Sequence, residues 1–142
     1  MSPKQLRAVR VASHALALVA MSAWAVSASA DPIVGTWVGT GNHAGTEDQF
    51  NMRLTFVSPK GGVSRYPDVP CGGKLVGGPS GDDKYQYDEA IMYNGPDERS
   101  DNYCINGRML LSVDGDKMTY EWSSSHNGED LASTGQLQRE GR

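Results

Sequence analysis

The chain has 142 residues, with 17 acidic against 13 basic side chains and a formal net charge of −4. No cluster of Lys and Arg occurs beyond Arg10. A polyanionic partner is held by clustered basic groups that displace its counterions, so nucleic-acid binding is set aside.

The chain opens with Lys4, Arg7 and Arg10. An uncharged, mostly apolar stretch follows over residues 11–26, and Ala28-Ser29-Ala30 puts small residues where a signal peptidase reads them. A membrane anchor needs about 20 apolar residues, and this stretch is shorter and is broken by Ser13 and His14. The pattern predicts a signal peptide over residues 1–30 and a single domain over 31–142, in the periplasm or outside the cell. No membrane span is expected after cleavage. Taking 30 from 142 leaves 112 residues, enough for one core. Losing the three basic residues takes the net charge from −4 to −7.

The domain reads as strands throughout. Apolar side chains alternate with polar ones, most clearly at Phe50, Met52, Leu54 and Phe56, at Met109, Leu111 and Val113, and at Met118, Tyr120 and Trp122. Strands are predicted at about 33–41, 48–58, 62–67, 72–77, 83–93, 107–113, 117–124 and 131–139. Asp114-Gly115 and Asn127-Gly128 favour tight hairpins. Pro59-Lys60-Gly61-Gly62, Pro79-Ser80-Gly81-Asp82 and Asn94-Gly95-Pro96 break the pattern between runs. Eight short-linked strands with one wet face predict an all-β, antiparallel, up-and-down barrel, with a two-sheet β-sandwich as the alternative. Cys71 and Cys104 permit one intramolecular pairing in an oxidising compartment. A disulfide there closes a loop of about 34 residues and contributes roughly 3–4 kcal/mol.

Several motifs resemble those of small exported bacterial β-barrel domains of largely unknown function. They are Gly35-Thr36-Trp37-Val38-Gly39, Tyr66-Pro67, Cys71-Gly72-Gly73-Lys74-Leu75, and Cys104 ahead of Gly107-Arg108-Met109-Leu110-Leu111, with Tyr87-Asp88-Glu89 in the middle strand. The Gly-x-Trp opening is more distantly similar to lipocalins and avidins, eight-stranded barrels that hold small molecules. The resemblance spans about residues 35–139. It implies that Trp37 is a core residue covered by Arg139 from the last strand, a barrel-closing contact. Two departures stand out: Ala90 replaces a basic residue after the middle-strand Glu, and the loop over 94–103 is longer.

Glu89 shares parity with Tyr85, Tyr87, Ile91 and Tyr93. If that face is the inner one, the carboxylate needs a partner, and a Tyr hydroxyl or Arg65 suits. Glu89 then either anchors a ligand or closes the barrel as a satisfied polar group. If instead the face is outer, Asp88, Ala90 and Met92 point inward. Tyr85, Tyr87, Glu89 and Tyr120 are the candidate ligand-binding residues. His43 and His126 read as solvated turn residues, and Asp97, Glu98 and Asp101 as surface charge. No metal site, cofactor or nucleophile–base set is expected, so the chain reads as a non-catalytic protein. The expected function is binding a small, partly apolar molecule in the barrel mouth, since Tyr outnumbers Phe six to two. The alternative partner is an exported protein, as for an inhibitor of a basic wall-degrading enzyme.

Overall fold

The computed structural model describes residues 29–95 and 103–141. The expected signal peptide falls outside them except for its last two residues, as do Asp97, Glu98 and Asp101.

The eight strands are β1 (Gly35–His43), β2 (Gln49–Ser58), β3 (Gly61–Tyr66), β4 (Cys71–Gly81), β5 (Lys84–Tyr93), β6 (Gly107–Asp114), β7 (Lys117–His126) and β8 (Glu129–Arg139). Each pairs antiparallel with its neighbours in sequence, and β8 returns to β1 in register from Trp37↔Arg139 to His43↔Ser133. That last ladder closes the sheet into a barrel and removes the two-sheet alternative. Closure also leaves no unpaired edge strand.

The alternation in sequence becomes the inside and outside of the wall. Met52, Leu54 and Phe56, then Met109, Leu111 and Val113, then Met118 and Tyr120, are buried in one core. Tyr85, Tyr87 and Glu89 also face inward. The same parity does not hold to the end of β5. Ile91 pairs with Gly73 while Tyr93 pairs with Gly72, so Met92 is an extra residue in the ladder. Such a bulge turns the strand end out of the wall, and Tyr93 is 44% exposed. Arg65 donates to the Tyr93 hydroxyl at 3.1 Å rather than reaching Glu89.

Several strand ends run further than the pattern predicts. β4 continues through Pro79 to Gly81 because it stays paired with β5 as far as Gly81↔Lys84, while its ladder with β3 ends at Gly61↔Val76. Proline is tolerated where no partner needs its missing N–H. β7 and β8 extend to His126 and Glu129 around a two-residue turn in which Asn127 and Gly128 both have positive φ, 52° and 79°. That geometry suits the twist of a tight hairpin.

The two ends of the barrel differ. One is plugged by the segment before β1. Ile33 is fully buried, and Trp37 donates its ring N–H to the Ile33 carbonyl at 2.9 Å. Arg139 covers the Trp37 ring with its guanidinium carbon 4.3 Å from the centroid. The same guanidinium donates to the carbonyls of Val34 and Pro32, at 2.6 and 2.5 Å, and to Asp116 at 3.1 Å. Asp31 completes the plug by accepting from the Tyr85 hydroxyl and the Ile33 amide.

Candidate ligand site at the barrel mouth

The opposite end is open. Residues of β1, β2, β3, β5, β7 and β8, with Val69 and residues 103–105, surround a cavity of about 520 Å3. The Cys71–Cys104 disulfide links the start of β4 to the segment leading into β6. Asn94 reinforces that link, accepting from the Cys104 amide at 2.7 Å and donating to its carbonyl at 3.1 Å. One flank of the mouth is thereby held to the wall.

Glu89 lies at the floor of this cavity and is only 3% exposed. Tyr66 donates its hydroxyl to Glu89 Oε2 at 2.6 Å, and Trp122 donates its ring N–H to Oε1 at 3.1 Å. Burial raises the Glu89 carboxyl above its ordinary range, and contacts with Ser64, Tyr66 and Trp122 pull the other way. The Ser64 hydroxyl faces the carboxylate, although no hydrogen bond of ordinary geometry closes between them. Tyr120 stands beside this group. Burial first, and then the Glu89 charge, push its hydroxyl upward. Burial likewise pushes up Tyr66.

Trp122 owes its place to Gly107. A Cβ on Gly107 would lie 2.4 Å from the indole, so a larger residue there displaces the ring that holds Glu89. Phe50 packs edge-on against Tyr66, with ring centroids 5.9 Å apart, and extends the aromatic wall toward the rim.

The four candidate residues divide between the two ends. Glu89 and Tyr120 line the cavity. Tyr85 and Tyr87 sit toward the plugged end, with hydroxyls bound by Asp31 at 2.5 Å and by the Pro59 carbonyl at 2.8 Å. Burial raises Tyr85 to about 12 and also raises Tyr87. Tyr66, Phe50, Trp122, His43, Tyr103 and His126 join the lining without having been singled out as ligand contacts. The even spacing of Met118, Tyr120 and Trp122 was the available signal for Trp122.

His43 and His126 are rim residues with partners. His43 Nδ1 lies 2.9 Å from Ser133 Oγ, and His126 Nε2 lies 2.9 Å from the Tyr103 hydroxyl. The Ser133–His43 pair puts a hydroxyl and a ring nitrogen within reach. An activated serine also needs its histidine oriented by a third group, and no carboxylate bonds His43 among the described residues. Nor do three or more His, Cys, Asp or Glu side chains gather to hold a metal there.

A larger depression of about 770 Å3 opens beside the Arg108–Asp88 ion pair and shares Glu89, Asp130, Leu131 and Ala132 with the mouth. It is shallow and open to solvent, whereas small-molecule sites bury most of the ligand surface. The mouth is the better enclosed of the two.

Comparisons with protein-family models, with characterised proteins and with solved structures find no match to this chain. The chain is a closed, eight-stranded antiparallel barrel with one disulfide. The disulfide fits an extracellular or periplasmic setting. Among the described residues no helix is long and apolar enough to cross a membrane.

Proposed function

We propose that this is an exported, non-catalytic binding protein whose barrel mouth takes a small, partly apolar molecule. The observation that carries this reading is the difference between the two ends. One is filled by Ile33, Trp37 and Arg139, and the other opens into a cavity of about 520 Å3 with aromatic walls and a polar floor. That volume lies in the range of small-molecule sites, which are mostly apolar with a few placed polar groups. Export is supported by the basic start, the apolar run and Ala28-Ser29-Ala30. Asp31 would be the first residue left after cleavage, and its side chain already serves the plug.

Titration of residues 31–142 with the neutral fluorophore N-phenyl-1-naphthylamine tests the pocket. Saturable one-site binding is expected, and Leu131→Trp at the rim should weaken it. Absence of saturable binding would overturn the reading. N-terminal sequencing of secreted protein should return Asp31, and finding Met1 or Ser2 would overturn export.

A further inference from the structure

The geometry points to an organic ammonium as the ligand of the mouth, its cationic nitrogen at Glu89 and its apolar body against Phe50, Tyr120 and Trp122. This rests on the mouth being a ligand pocket and adds the chemical class of what enters it.

The first reason is an imbalance of charge. Glu89 and Asp130 both line the cavity, and among the described lining residues there is no Lys or Arg. No ion pair reaches Glu89 among the described residues. Its nearest partners are neutral donors, Tyr66 and Trp122. A buried carboxylate without a counter-charge is costly, and a bound cation supplies the missing charge.

The second reason is unused capacity. An ionised carboxylate offers about four lone-pair sites, and here each oxygen receives one protein hydrogen bond. Lone-pair sites remain for N–H donors, which an ammonium carries and a carboxylate lacks.

The third reason is the wall. Aromatic faces attract cations through their quadrupole. Phe50, Tyr66, Tyr120 and Trp122 put several rings around one carboxylate. Each of the two histidines bonds a rim hydroxyl rather than Glu89.

The experiment is calorimetric titration of residues 31–142 at neutral pH with three probes of similar shape: 2-phenylethylamine, 2-phenylethanol and 3-phenylpropanoate. The amine should bind at least about tenfold more tightly than the alcohol, as a charge-assisted hydrogen bond implies, and the acid most weakly. In Glu89→Gln, checked for native folding by near-ultraviolet circular dichroism, the amine's advantage over the alcohol should vanish. The parent protein alone already ranks the three probes, so the result stands even if the variant fails to fold. Equal affinity for amine and alcohol, or preference for the acid, overturns the cation inference and leaves the pocket. No binding by any probe, together with no binding of N-phenyl-1-naphthylamine, overturns both.

Discussion

Tyr66 and Glu89 meet inside the barrel through a 2.6 Å hydrogen bond, although 23 positions separate them in the chain. Trp122 holds the other carboxylate oxygen. Removing an acceptor from two buried donors leaves them unsatisfied, at about 1–3 kcal/mol. Glu89→Leu should therefore lower the unfolding free energy by roughly that amount. Glu89→Gln keeps a carbonyl for Trp122 and an amide for the Tyr66 oxygen, so it should cost much less. Denaturant melts of the two variants beside the parent measure the difference. A Leu variant as stable as the parent would show that the network contributes nothing.

The same carboxylate sets a pH dependence. Ser64 and Tyr66 face it from β3, and Tyr120 and Trp122 from β7. Burial raises its titration above the ordinary 4.5, so above that pH the folded state holds a proton more firmly than the unfolded chain does. Its contribution to stability is complete below the unfolded value and is lost as pH rises through the folded one. Glu89→Gln has no such proton. The stability of Gln relative to the parent should rise with pH from about 4.5 and then level off. Melting temperatures of both proteins across pH 3–9 read this directly, and a relative stability that falls with pH would mean the hydrogen bonds outweigh burial.

At the plugged end, Arg139 joins four groups: the Trp37 face, the carbonyls of Val34 and Pro32, and Asp116. A lysine carries the charge but lacks the planar fork that serves several acceptors at once. Arg139→Lys should lose most of what Arg139→Ala loses, about 1–3 kcal/mol for the alanine. Chemical denaturation with near-ultraviolet circular dichroism of the Trp37 environment follows both. Lysine fully replacing arginine would reduce the contact to charge alone.

The disulfide joins Cys71 to Cys104, and Cys104 also lines the cavity. Replacing both cysteines with serine should cost roughly 3–4 kcal/mol by the chain-entropy argument. It should also weaken binding of N-phenyl-1-naphthylamine, because Tyr103 and Ile105 in the same flank line the cavity. Thiol labelling of denatured, unreduced protein should detect no free thiol. Full labelling of both cysteines would mean that the bond is absent in solution.

Much of the barrel was legible in the chain because its cause is local. Met52, Leu54 and Phe56 alternate with polar residues because successive side chains in a strand point to opposite faces. Gly115 and Asn127-Gly128 mark hairpins because few other residues adopt the positive φ they show. Cys71 and Cys104 pair because they have no other partners. The inward face of Tyr85, Tyr87 and Glu89 follows from the same alternation. Their separation does not: strand tilt and stagger place residues of one strand at different heights along the barrel axis. Glu89 thus meets the mouth while Tyr85 meets Asp31 at the plug. The bulge at Met92 and the length of β4 depend on where the neighbouring ladder stops. The mouth itself joins His43 to Ser133 across 90 positions and Trp122 to Glu89 across 33. Such contacts form only once the strands are paired and curled into the barrel, so tertiary structure alone decided which end is filled, which is open, and which polar groups share its floor.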